Sequence, residues 1–339
     1  MVTNVPDGLS RWNAGAVEEA AKTEPEGLKR TRRPADRIGD TALHTLTALA
    51  ALLGVVVVAA IVWRVADGAW PSVRHFGISF LWHKEWNPVT SHFGAYEFVI
   101  GTLVTSFGAM ILAAPLSIAI GLFLSELAPA AVRGPVGTLI EMLAAVPSVV
   151  IGLWGIYVLA PLMANHVEPA LSSGLGWIPI FGGAPSESGM LTAIVVLTIM
   201  TIPITSSICR ELFLGVPREL EEGAVALGAT RWEMVKGVVL PSVKGGVVAA
   251  VILGLGRALG EAIAVTQVIG NFIPLHVSLF APGDTLASRI ANQYQGADTN
   301  LALHSLIYLG LILLAITFVT NFTAQRVVKR FEFQRAGGD

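Results

Sequence analysis

Six runs of roughly twenty mainly apolar residues, each long enough to cross a bilayer as a helix, govern what this chain can become. They lie at approximately Ala42–Trp63, Phe98–Leu124, Thr138–Pro161, Leu191–Cys209, Gly246–Gly270 and Leu303–Thr323. None shows the period-2 alternation of a barrel strand, and an isolated strand could not satisfy its backbone in hydrocarbon, so all six read as helices. Composition agrees: 53% of residues are hydrophobic and only 14% charged, against about 25% charged in an ordinary soluble domain. The fold class is therefore an all-α integral membrane protein with six transmembrane helices. Pro115, Pro147 and Pro203 fall inside these runs, which a membrane bundle tolerates where neighbours satisfy the freed carbonyls.

The charge balance narrows the class further. A net charge of −2 is not that of a nucleic-acid binder, and the single cysteine, Cys209, excludes an intrachain disulfide or a cysteine metal cluster. The first apolar run is too long for a signal peptide and reads as a retained anchor. Basic residues sort the loops into two sides. With the N-terminus inside, seventeen of the twenty-two Lys and Arg face the cytoplasm, which puts both termini there. The expected layout is a polar cytoplasmic extension over 1–40, a first transmembrane helix over 41–65 and an external loop over 66–97. A five-helix core over 98–326 follows, with a cytoplasmic elbow at 211–242, and then a tail over 327–339. Trp82, Trp86 and Trp177 fall in the outer connections, where aromatic residues usually anchor a helix at the membrane boundary.

The elbow carries the clearest local signals. Pro217 suits a first helical turn, where its missing N–H is no loss, and Glu219, Glu221 and Glu222 place negative charge at the positive end of a helix dipole. Gly228 is an ordinary helix stop. Thr230 and Glu233 then fit a capping box that starts a second short helix, expected to run to Leu240 and stop at Pro241. The stretch E-G-A-V-A-L-G-A-T-R-W-E-M-V-K-G-V-V-L-P, from Glu222 to Pro241, resembles the EAA signature of ABC importer permeases. Glu222, Gly223 and Ala224 stand for its first three positions, Gly228 is in register, and Val238, Leu240 and Pro241 close it. Gly223 and Val238 depart from the family's usual Ala and Ile. The resemblance implies that this elbow docks into a separate ATP-hydrolysing subunit. No lysine here follows a glycine in a G-K-[ST] context, so a P-loop is not available within the chain.

One span later, Arg257 and Glu261 lie in the otherwise apolar stretch G-L-G-R-A-L-G-E. An ionisable residue inside a membrane costs about 2.5–3.5 kcal/mol and marks a functional pathway by default. Four residues apart on one helix, the two share a face and can pair; a purely structural ion pair is the competing reading. An arginine fork makes bidentate, charge-assisted bonds to phosphate or carboxylate, so an oxyanion pathway is the functional reading. Gly246, Ala250, Gly254 and Ala258 form a small-residue stripe suited to close helix contact, with Gly256 and Gly260 as a second. Glu141 and the intramembrane Thr and Ser residues read as interfacial or self-bonded, and no metal-ligand spacing or nucleophile–base set is visible.

Three stretches resemble the phosphate-specific ABC importer permeases of the PstC type: Gly101–Pro129, Ala144–Gly155 and Leu253–Asn271. Ala262 and Ile263 stand where that family often has Thr and Met. The resemblance covers about residues 75–330 and implies a type I, MetI-like importer core formed by the last five helices. It implies that Arg257 and Glu261 matter for phosphate passage. It also implies a bacterial inner-membrane location and no cofactor in this chain, ATP and Mg being bound by the partner ATPase. The implied partners are a homologous permease of the PstA type, two ATP-binding subunits of the PstB type and an external binding protein of the PstS type. A sulfate or molybdate permease, the PstA-type subunit itself, and an ion-coupled secondary anion carrier remain alternatives.

Overall fold

The computed structural model describes residues 34–336; most of the polar leader and the last three residues lie outside the described residues. The chain divides into a unit ending at Val62 and a second unit from Trp63 onward. The first unit's described part is the start of helix α1 (Pro34–Phe76). Leu43, Leu46, Leu53, Val58 and Ile61 are exposed there, as a helix solvated by lipid requires.

In the second unit α1 continues to Phe76, so the stretch expected to begin a loop at residue 66 is helical at first. A 3₁₀ turn over Gly77–Leu81 and a two-residue antiparallel ribbon, β1 (Trp86–Asn87) with β2 (His92–Phe93), lead into α2 (Tyr96–Leu122). A π turn over Phe123–Leu127 extends α2. Next come α3 (Ala130–Ala144), α4 (Ser148–Leu175), α5 (Met190–Leu214), α6 (Arg218–Ala226) and α7 (Arg231–Gly260). The last elements are α8 (Ile263–Val268), α9 (Leu286–Gln293) and α10 (Asn300–Ala336). Six helical spans among the described residues are long and apolar enough to cross a membrane.

Three expected boundaries move, each for a local reason. The run Thr138–Pro161 is two helices, because α3 ends at Ala144 and Pro147 is the extended N-terminal cap of α4 (ψ 139°); a proline lacks the N–H that would continue α3, and its ring clashes with the preceding turn. The fifth span is not Gly246–Gly270. It begins at Arg231 and ends at Gly260, since Glu261 is extended (ψ 117°). The second elbow helix, in turn, does not stop at Pro241. A π turn over Val235–Val239, in which the Leu240 N–H donates to the Val235 carbonyl, leads straight into Leu240–Gly260. A proline ring clashes with the carbonyl four residues back in regular α-helix; the wider i→i+5 turn relieves that crowding.

The middle of the second unit is α5, whose most apolar stretch is 67% buried. It packs against α2 through small residues: Ala109 and Ala113 are fully buried, Gly108 faces Ile194, and the Thr198 hydroxyl donates to the Ala109 carbonyl at 3.3 Å. Between lipid-solvated helices the driving force is such close van der Waals packing. The predicted stripe on α7 behaves as read. Ala250 and Ala258 are buried, Gly254 faces Thr201 and Thr205, and Gly246 faces Leu212. At Gly260, by contrast, nothing approaches the space a side chain would take. The end of α1 joins α10 through a buried Ser72–Ser305 hydroxyl pair at 3.0 Å and a bond between His304 Nδ1 and the Gly68 carbonyl.

Candidate functional site

The elbow is built from local hydrogen bonds. Pro217 caps α6, one residue outside it, and Glu219 and Glu221 occupy its first turn. The helix ends in a Schellman motif: Gly228, at φ +89°, donates to the Val225 carbonyl, and Ala229 donates to that of Ala224. Glycine takes this left-handed position without strain. The capping box forms as read. The Glu233 N–H donates to Thr230 Oγ1 at 3.3 Å, and the Thr230 N–H donates to Glu233 Oε2 at 2.8 Å. Of the six residues assigned to coupling, Glu222, Gly223, Gly228 and Pro241 are exposed. Ala224 and Leu240 are half-buried and pack on a cluster of Cys209, Phe213, Val216, Met234, Val235 and Val239. One face of the elbow is therefore seated on α5 and the other is bare.

A cavity of about 560 Å³ opens between that elbow and the end of α2, with Leu127, Val225 and Met234 as its apolar wall and Glu126, Glu221 and Glu222 at its edge. A neighbouring cavity of about 310 Å³ shares the three carboxylates and adds Arg133 and Arg218. Burial, then the nearby Glu126 charge, pushes the Glu221 carboxyl above its ordinary value, with Arg218 pulling the other way.

Arg257 and Glu261 are not paired. Arg257 is exposed on the last turn of α7, but that helix ends before Glu261, so the i,i+4 face on which the pairing depended does not exist. Instead Glu261 Oε1 accepts the Ala264 N–H at 3.3 Å and starts α8. The two groups remain close in sequence and separately directed. The arginine is thus exposed, while the carboxylate accepts a backbone N–H.

The sequence alone singles out neither Arg289 nor Asp284. Both are buried, at 5% and 1% exposure, and form an ion pair of 2.6 Å. The Arg289 guanidinium also lies over the Phe98 ring at 4.8 Å, a cation–π arrangement. Burial pushes the Asp284 carboxyl up and the Arg289 guanidinium down, each opposed by the other's charge. The α2 helix receives this segment: the Leu286 N–H donates to Thr102 Oγ1, the Leu275 N–H donates to Glu97 Oε2, and the Asp284 carbonyl packs directly on Gly101. Trp86 is likewise buried rather than at a boundary, its Nε1–H donating to Gln293 Oε1 at 2.8 Å. Among the described residues, no group of three or more His, Cys, Asp or Glu lies together as a metal site would require.

The family model for the inner membrane component of binding-protein-dependent transport systems matches residues 117–333, and the chain belongs to that family. Within it, the similarity is to phosphate transport system permease proteins. PstC of Pasteurella multocida is 44% identical over 315 residues, covering 92% of this chain and 97% of that one. PstC of Haemophilus influenzae is 43% identical over 290 residues, covering 84% and 92%. Among solved structures, a chain of the bacterial alginate ABC transporter in complex with alginate pentasaccharide-bound periplasmic protein aligns with a TM-score of 0.57 at 17% identity. It covers 86% of this chain and 98% of that one, and so shows a shared fold, that of an ABC importer permease.

Proposed function

We propose that this chain is the PstC-type permease subunit of an ATP-driven inorganic phosphate importer. The single observation that carries the coupling half of this reading is the elbow: a helix–turn–helix satisfied within itself, with Glu222 bare and an apolar cavity beside it. In this reading the elbow faces the cytoplasm with both termini, and there meets an ATP-hydrolysing subunit that binds ATP and Mg. The other partners are a PstA-type permease, a second PstB-type ATPase copy and a PstS-type binding protein that delivers phosphate from outside. The phosphate half rests on the similarity to phosphate transport system permease proteins and on Arg257, whose planar fork matches a tetrahedral oxyanion. Alternating access would follow from ATP-driven closure pushing the elbow. Binding at Arg257 must stay weak enough for release.

The test is the reconstituted complex, followed by phosphate uptake and phosphate-stimulated ATP hydrolysis. Arg257→Ala is expected to assemble and lose uptake, whereas Glu222→Ala is expected to keep the pathway and weaken stimulation of hydrolysis. Undiminished uptake with Arg257→Glu in correctly inserted protein would sink the pathway role. Competition by sulfate or molybdate at phosphate-like concentrations would reassign the substrate.

A further inference from the structure

Glu261 opens α8, a helix of six residues. So short a helix cannot hold its own geometry in isolation, and where the Glu261 carboxylate points depends on what grips α8 from outside. One face is gripped by packing: Ala264, Val265, Val268 and Ile269 are buried in the cluster containing Ile151, Leu159 and Val196. The other face is gripped by a polar chain. After α8 the backbone reverses through two consecutive left-handed residues, Gly270 at φ +93° and Asn271 at φ +51°. Asparagine is among the few side chains that enter this region readily. The Asn271 amide then bridges two elements: its Nδ2–H donates to the Thr266 carbonyl of α8, and its Oδ1 accepts the Ser288 hydroxyl of α9, both at 2.7 Å. The Ser288 N–H donates to Thr285 Oγ1, which caps α9, and the next N–H after Thr285, that of Leu286, donates to Thr102 of α2. The buried Asp284–Arg289 pair brackets this chain.

We infer that Asn271 and Ser288 are positioning residues for transport, fixing α8 and hence the Glu261 carboxylate to the block formed by α2 and α9. The inference rests on the reading that Glu261 lines the phosphate pathway, and on geometry that a hydrophobic seat alone does not explain. A merely structural turn would be satisfied by backbone, as the bonds from Phe272 to Gly283 and from Gly283 to Ile269 already do here. The Asn271 amide adds a link to the body of α8.

The experiment uses the assembled complex in proteoliposomes, with a reporter thiol introduced by Ala262→Cys, which leaves the Glu261 carboxylate in place. Cys209, the native thiol, is buried and sets the background. Asn271→Gly keeps the left-handed backbone accessible while removing both side-chain bonds; Ser288→Ala removes one of them without touching the turn. Each variant is expected to assemble normally and raise the rate of thiosulfonate labelling about five- to tenfold, the population shift expected from losing such a link. Each is also expected to lower uptake. Unchanged labelling in both variants overturns the positioning. Faster labelling with full uptake overturns its role in transport. Glu261→Gln with full uptake overturns the pathway reading itself, whatever the labelling shows, so the two failures are told apart.

Discussion

The elbow over α6 and the start of α7 and the segment from Asn271 to Gln293 both interrupt apolar helices with polar sequence, yet they satisfy that polarity in opposite ways. In the elbow, hydrogen bonds close within a few residues: Thr230 with Glu233, Gly228 with Val225, Ala229 with Ala224. Its outer face stays bare, with Leu227 92% and Trp232 68% exposed. In the later segment the partners are distant in sequence, Leu286 to Thr102 and Leu275 to Glu97, and Asp284, Ser288 and Arg289 are buried. A region bonded to itself can be displaced as a body while its surface is offered to another chain. A region bonded to α2 moves only when α2 moves.

The largest expected effect that sharpens this contrast is Arg289→Ala. It leaves the Asp284 carboxylate buried without its cation, at a cost of about 3–5 kcal/mol, read as a fall in thermal midpoint and yield of the purified complex. Glu222→Ala on the bare face should stay within about 0.5 kcal/mol in the same measurement. Equal midpoints for the two would erase the distinction between the regions. Glycine substitutions give the next step. Gly101→Ala drives a methyl into the Asp284 carbonyl, where backbone must shift, and overpacking of this kind costs about 1–3 kcal/mol. Gly223→Ala meets nothing within 4 Å on an exposed helix and should stabilise by up to about 1 kcal/mol, with coupling retained. Thr230→Ala should cost about 1 kcal/mol. Because the cap is local, the loss should appear as faster amide exchange at Arg231–Met234 with the global midpoint little moved.

The smallest effect concerns pH at the elbow. Glu221 is held above its ordinary 4.5 by burial and by Glu126, so protonation favours the docked elbow. That contribution is fully present below 4.5, and it is lost as pH rises through the raised value. Exchange protection of the α6 amides should decline across that window, and Glu221→Gln should flatten the profile. A decline that persists in the glutamine variant would place the titrating group elsewhere.

The same contrast explains what could be read from residues alone. The elbow was legible because its determinants are contiguous: T-x-x-E, a glycine eleven residues after Pro217, and acidic residues in a first turn. The membrane helices were legible from hydropathy, which nevertheless averages across Pro147 and so merges α3 with α4. Glu261 was assigned to a helix face because an apolar window does not register a single extended residue. The burial of Asp284 and Arg289 had no contiguous signal. It depends on Gly101, some 180 residues earlier, lacking a side chain at the point where the Asp284 carbonyl arrives. The spacing T-x-x-S from Thr285 to Ser288 was the one available hint, a cap that announces α9 without revealing what covers it.

The π turn at Val235–Val239 has a geometric consequence for the whole subunit. Because the chain passes Pro241 without a break, the capping box and Arg257 sit on one rod, with about 25 Å of helix between Leu240 and Arg257 at 1.5 Å per residue. That turn takes up one additional residue by winding more loosely, so the two ends keep nearly the phase of an uninterrupted α-helix. Removing one residue from the regular stretch between Leu240 and Arg257 would instead swing Arg257 about the rod axis by about 100°, aiming it at a different neighbour without altering a single residue around it.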